Sequence, residues 1–230
     1  MTIEEISYRD GAIDLKGTLY RPSGVARAAV AVFPTIMNPT PAVEAKARAL
    51  ADAGFLAMIC DFYGATPADF AQSQEWARAL VSNPDAHRAR LRASLAALGK
   101  IAPDLPIGAI GFCMGGQAVL ELARDGADLF VVASFHGLLE TLRPAEEGAV
   151  KARILVCHGD ADTLVPRDHV TTFWEEMDRA GANWHFHSYS GVPHGFTNPN
   201  PSPTGAVAYD ASADRQSWAA LMSLLDEELG

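Results

Sequence analysis

Uninterrupted apolar runs alternate along this chain with stretches in which apolar residues recur every three to four positions. The first pattern marks strands buried on both faces, the second helices with one buried stripe. Residues 3–7 and 13–21 predict two antiparallel strands with Asp10-Gly11 as the turn. Buried strands are predicted at 25–33, 55–61, 107–112, 129–136 and 153–158, and 184–189 alternates as a strand near a sheet edge does. Helices are predicted at 43–53, 68–81, 85–100, 117–124, 167–180 and 209–229. The first carries Ala47, Leu50 and Ala51 on one side and stops at Gly54. Asn83-Pro84 separates the second from the third, with Ser82 or Asn83 as the cap. Trp218, Leu221, Met222 and Leu225 mark the stripe of the last.

Strands alternating with helices predict an α/β fold, with a mostly parallel central sheet and helices on both faces. No repeat or composition break divides the 230 residues, so a single domain over 1–230 is expected. The segment 198–205, rich in proline and asparagine, reads as a rigid surface loop.

Charge narrows the function. The formal net charge is −10, which argues against nucleic acid and an anionic membrane surface as partners, since both call for clustered lysines and arginines. No stretch approaches the ~20 apolar residues of a membrane span. The opening Met1-Thr-Ile-Glu-Glu-Ile has acids where a secretion signal has bases, which predicts a cytoplasmic protein. The three cysteines, Cys60, Cys113 and Cys157, show neither disulfide nor zinc spacing. Cys60 and Cys157 lie in apolar runs and read as small core residues.

Cys113 is different. It sits in Gly111-Phe-Cys-Met-Gly-Gly116, between a predicted strand and a predicted helix. This is the G-x-nucleophile-x-G pattern of a strand–turn–helix elbow, with Cys in place of the usual Ser. The glycines leave room where side chains would collide with the neighbouring strand and the helix start. The helix end favours a thiolate, and surroundings of this kind are able to bring a thiol from ~8.5 to roughly 3.5–7.5.

In such sheets ligands sit at the carboxyl ends of strands. Past the 153–158 strand comes Gly159-Asp-Ala-Asp162, and past 184–189 comes Gly191-Val-Pro-His194. The order nucleophile, acid, base is that of the α/β-hydrolase arrangement. His194 is the candidate base, in a loop shaped by Pro193 and Gly195. Asp160 and Asp162 both qualify as the acid that orients it, and spacing does not choose between them. His136 ends a strand, either lining the pocket or satisfied within the core.

The chain resembles the dienelactone hydrolase family, α/β-hydrolases with a Cys nucleophile. The likeness rests on the Cys113 elbow, on His158-Gly-Asp-Ala-Asp162 with Val165-Pro166, on Tyr189-Ser-Gly-Val-Pro-His194 with Gly195-Phe196, and on Asp61-Phe-Tyr-Gly64. It implies an α/β-hydrolase fold and a Cys113, Asp162, His194 triad. It also implies an oxyanion hole from the N–H groups of Ile36 and Met114. Two positions depart from the family. Thr35 stands where well-studied members carry a Glu that governs thiol ionisation. Asn198 stands where dienelactone-cleaving members carry an Arg for the substrate carboxylate, which argues against dienelactone itself.

The expected function is hydrolysis of a small ester or lactone through a thioester acyl-enzyme. Thr35, Phe62, Tyr63, Phe112, His136, Phe196 and Asn198 are the expected pocket residues. The expected partner is the small-molecule substrate, with no cofactor, metal, nucleic acid or membrane, in a monomer or small homo-oligomer. A thiol-sensing, non-catalytic protein and an acyltransferase with the same triad stay open on sequence alone.

Overall fold

The computed structural model describes residues 1–200 and 207–230, so residues 201–205 of the expected 198–205 loop lie outside the described residues. The chain forms two compact units, residues 1–109 and 110–230.

In the first unit, β1 (Thr2–Asp10) and β2 (Ile13–Arg21) form an antiparallel hairpin, with Asp10 opposite Ile13. Gly11 takes φ +57° at its turn, a conformation that costs glycine little. β4 (Leu56–Ile59) pairs antiparallel with β2 and parallel with β3 (Ala29–Phe33). Every residue of β3 and β4 is buried, so both faces of this part of the sheet are covered. The strand expected at 25–33 starts only at Ala29, and Val25 is 95% exposed.

The three helices of this unit follow capping rules. α1 (Pro41–Asp52) opens with Pro41 at its first turn and Thr40 accepting from Val43 N–H, and it buries Val43, Ala47, Leu50 and Ala51. α2 (Phe70–Val81) is capped by Asp69. α3 (Pro84–Ile101) is capped by Asn83, which accepts from Ala86 N–H at 3.1 Å; the choice between Ser82 and Asn83 falls on Asn83.

β5 (Ile107–Phe112) leads into the second unit. There β6 (Val131–Phe135), β7 (Arg153–Gly159) and β8 (Trp184–Tyr189) run parallel, with Phe135 opposite Cys157 and Cys157 opposite His187. α4 (Met114–Arg124) is buried along its whole length. It starts three residues before the expected 117–124 helix. Gly115 and Gly116 are weak helix formers, but here the absence of a side chain is what lets the helix approach. A Cβ on Gly116 would lie 2.7 Å from both Gly137 Cα and Ser134 Oγ.

α5 (Arg167–Arg179) and α6 (Ala211–Leu229) complete the unit. α6 buries Leu221, Leu224 and Leu225, while Trp218 and Met222 are half-buried. Arg124 is the ionic centre of the unit. Its guanidinium makes two bonds to Glu176, at 2.9 and 2.8 Å, and others to Glu121 and the Leu139 carbonyl. All three charged side chains are buried, an arrangement that requires every one of these partners.

Candidate active site

Cys113 stands at the junction of β5 and α4 with φ +57° and ψ −116°, a conformation rare for any residue with a side chain. Gly111 makes this turn possible, since a Cβ there would lie 1.9 Å from the Gly115 carbonyl oxygen. Cys113 is half-buried. Cys60 and Cys157 are fully buried, and burial pushes the Cys157 thiol up to about 12 and the Cys60 thiol higher still. Cys113 is therefore the thiol with both access and the positive end of a helix beside it.

His194 lies in the loop after β8 and is 4% exposed. Its Nδ1 is 2.7 Å from Asp162 Oδ2, and Asp162 is itself buried. The other carboxylate oxygen of Asp162 accepts from Leu164 N–H at 2.9 Å, which fixes the side chain. Asp160 is turned away: it is held at 3.0 and 2.7 Å by the Arg167 guanidinium. The structure thus puts Asp162, not Asp160, on the imidazole.

His194 Nε2 is buried and makes no hydrogen bond to nitrogen or oxygen among the described residues. Burial disfavours the charged ring, but contact with Asp162 and with Cys113 outweighs it, and the pKa is raised to about 10. A ring that takes a proton this readily, between a carboxylate and a thiol, suits proton exchange with sulfur. His158 sits nearby and behaves in the opposite way. Burial lowers its pKa despite the neighbouring Asp162 and Asp160, and its ring lies 5.6 Å from that of Phe186.

His136 joins this group. It follows β6 with φ +43°, and it is 2% exposed. Its Nδ1 accepts from Cys113 N–H at 3.1 Å, and its Nε2 lies 2.8 Å from Thr197 Oγ1. Its ring centroid is 5.1 Å from that of His194 and 5.2 Å from that of Phe196, edge to face in both cases. Phe196 is buried, Asn198 is half-buried, and the Phe112 ring stacks on Phe135 at 5.0 Å. Thr197 was not among the sequence candidates. Its signal was slight: a hydroxyl three residues after the candidate base.

The remaining sequence candidates belong to the first unit. The turn after β3 is built around Asn38, which is buried with φ +64°. Asn38 N–H donates to the Thr35 carbonyl at 2.9 Å, and Thr35 Oγ1 accepts from Met37 N–H at 3.3 Å. Asn38 Nδ2 donates to Asp61 Oδ1 at 2.7 Å and to the Ala65 carbonyl at 3.1 Å, while Asn38 Oδ1 accepts from Phe62 N–H. Asp61 also accepts from the N–H groups of Lys16, Tyr63 and Gly64. Tyr63 OH donates to the Ile36 carbonyl at 3.1 Å. Among the described residues the Ile36 N–H meets no acceptor. Phe62 is buried against Phe33 and Tyr63, and Tyr63 packs edge-on to Trp76. The Asn38–Asp61 clamp escaped the sequence reading, although an Asn-Pro pair in a loop is a turn signal.

Among the described residues no helix is long and apolar enough to cross a membrane. The sequence profile of the dienelactone hydrolase family matches residues 15–229, running through both units. The structure of m3DLH superposes with a TM-score of 0.92 at 33% identity, over 100% of this chain and 99% of that one. A dienelactone hydrolase-like promiscuous phosphotriesterase from metagenomic libraries gives 0.92 at 32% identity, with the same coverage. An uncharacterized protein of Caenorhabditis elegans is 38% identical over 148 residues, which cover 60% of this chain and 91% of that protein. The fold is the α/β-hydrolase fold, and the chain is a hydrolase belonging to the dienelactone hydrolase family.

Proposed function

We propose that the chain hydrolyses small carboxylic esters or lactones, with Cys113 as nucleophile, His194 as base and acid, and Asp162 orienting His194. One observation carries this reading: a buried His194 ring is held by Asp162 at 2.7 Å, its pKa raised through Asp162 and Cys113, and Cys113 itself sits in a strained turn. His194 takes the thiol proton, and the Cys113 sulfur bonds to the substrate carbonyl carbon. The tetrahedral intermediate collapses as His194 gives its proton to the leaving oxygen, leaving a thioester. A water then gives a proton to His194 and attacks that carbonyl, and the thiolate departs with the acid product.

The family resemblance assigns the oxyanion to the N–H groups of Met114 and Ile36. Met114 opens α4, and among the described residues the Ile36 N–H meets no acceptor, in a turn held through Asn38 and Tyr63. One such donor is worth about 2.7–4 kcal/mol in the barrier. Thr35 supplies no carboxylate, so activation of the thiol falls to His194 and the helix end. Asn198 offers no cation, so the favoured substrate is uncharged at that end. From the sequence, the pocket is assigned to Thr35, Phe62 and Tyr63 of the first unit and to Phe112, His136, Phe196 and Asn198 of the second. The chemistry calls for no cofactor. A cytoplasmic location fits the acidic charge and the three free cysteines.

Turnover of p-nitrophenyl acetate and butyrate by wild type and Cys113→Ala tests the reading. The variant is expected to lose more than about 10³-fold in kcat. Mass spectrometry after a short ester pulse should find an acyl group on Cys113 that then decays. Equal rates in the two proteins would overturn the proposal. Attack of the same thiolate on phosphorus is a second reading, favoured by the full-length likeness to a phosphotriesterase. An aryl phosphotriester in the same assay decides it.

A further inference from the structure

We infer that His136 and Thr197 form a positioning pair that ties the backbone of the Cys113 turn to the loop carrying His194. The inference rests on the reading of Cys113 and His194 just proposed, and it assigns to two further residues the task of holding them together.

The hydrogen-bond chemistry is determined by one obligate donor. A backbone N–H can only donate, so the His136 nitrogen that meets Cys113 N–H must present its lone pair. That places the ring proton of neutral His136 on Nε2, where it is donated to Thr197 Oγ1 at 2.8 Å. Both nitrogens are engaged and the ring is fixed in one tautomer. His136 is thereby unsuited to act as base toward sulfur. It works as a strut instead.

The strut joins two strained or constrained segments. Cys113 and His136 both lie in the left-handed region, at φ +57° and +43°. Cys113 N–H is shared between the Phe135 carbonyl at 3.0 Å and the His136 ring. His136 N–H in turn donates to the Cys157 carbonyl at 2.8 Å. Strain of this kind persists only where the surroundings over-determine it. At the far end, Thr197 is buried and three residues after His194, so its hydroxyl anchors that loop. The His136 ring also touches the His194 and Phe196 rings edge-on, filling the space between nucleophile turn and base loop. The charged or titratable groups facing His194 are Asp162, Cys113 and His158, with His136 against its ring.

The test uses Thr197→Val, which keeps the shape and removes the hydroxyl, and Thr197→Ser, which restores it. Displacement of a catalytic pair by about 1 Å costs on the order of 10²-fold. We expect Thr197→Val to lower kcat for p-nitrophenyl butyrate by roughly 10- to 100-fold with little change in KM, and Thr197→Ser to recover most of it. The second readout needs no ester: the pH midpoint of iodoacetamide alkylation at Cys113, followed by peptide mass spectrometry. In Thr197→Val it should move up toward the ~8.5 of a free thiol. A purely structural hydroxyl would lower the melting temperature and leave that midpoint in place. His136→Asn keeps a residue that tolerates positive φ but shortens the strut, and adding it to Thr197→Val should cost no more than either alone. Wild-type kcat and alkylation midpoint in Thr197→Val, with Cys113→Ala inactive, would overturn the pair and leave the hydrolase reading standing. Full activity in Cys113→Ala would overturn both.

Discussion

Asp162 Oδ2 and His194 Nδ1 lie 2.7 Å apart, and neither group is open to solvent. A buried carboxylate in this position fixes the imidazole tautomer, leaving Nε2 for the proton exchange with Cys113 proposed above. Asp160, two residues earlier, is held by Arg167 at the surface and does not share this task. Asp162→Asn is therefore expected to lower kcat for an aryl ester by about 10³–10⁴-fold. Asp160→Asn should stay within about threefold of wild type, as expected for loss of an exposed ion pair. Steady-state kinetics on the two variants checks the assignment, and a reversed ranking would refute it.

The raised pKa of His194 has a consequence for stability. Asp162 and Cys113 hold the imidazolium more firmly in the folded chain than water does in the unfolded one, despite the burial that opposes it. The folded value of about 10 lies above the ordinary ~6.5. A raised folded value stabilises fully below the unfolded pKa and is lost as pH rises through the folded one. The stability difference between wild type and His194→Gln should thus shrink between pH ~6.5 and about 10. Urea unfolding at several pH values measures it. A difference that grows over that window would contradict the sign.

Much of the fold is legible in the sequence because burial on both faces leaves a distinctive mark. β3, β4 and β6 are wholly buried, and each appears as an apolar run. Boundaries were less legible where backbone chemistry overrides hydrophobicity. Val25 extends the apolar run before β3 yet is exposed, and Gly115-Gly116 looks like loop yet is helix. Cys113 and His194 stand out because strand ends and special backbone residues frame them, whereas spacing leaves Asp160 and Asp162 level and only the family resemblance points to Asp162. The supporting residues do not stand out. Thr197, Asn38 and Asp61 are common polar residues whose importance lies in partners 61, 23 and 45 positions away. No local pattern records such contacts.

The buried Arg124 offers a test of the second unit's stability. It bridges Glu121 on its own helix and Glu176 on α5, and Glu176 also accepts from Ala145 N–H at 2.8 Å. Removing the cation leaves two carboxylates buried without their counter-charge. Arg124→Met is expected to destabilise by about 3–5 kcal/mol. Replacing both Glu121 and Glu176 with Gln in the same chain should recover a large part, since this removes the buried charges and keeps an acceptor for Ala145 N–H. Denaturant unfolding of the single and triple variants reads the difference. Near-equal stability of Arg124→Met and wild type would show that the network contributes little.

Asn38 presents a case in which strain and function separate. Its φ of +64° is tolerated by Asn and Gly but not readily by Ala. Its side chain joins the turn after β3 to Asp61 and Ala65. Asn38→Ala loses the clamp and adds backbone strain, whereas Asn38→Gly loses the clamp alone. The alanine variant should be the less stable by about 1 kcal/mol or more. If the Ile36 N–H serves the oxyanion, both variants should lose kcat for an ester, because the turn that presents that donor has lost its tie to the carboxylate. Alkylation of Cys113 by iodoacetamide develops no oxyanion, so its rate should be unchanged in Asn38→Gly. Comparing ester turnover with alkylation in that variant separates a fault in the oxyanion donor from a general loss of structure. Equal losses in both reactions would place the effect in the fold, and no loss in either would remove Ile36 from the mechanism.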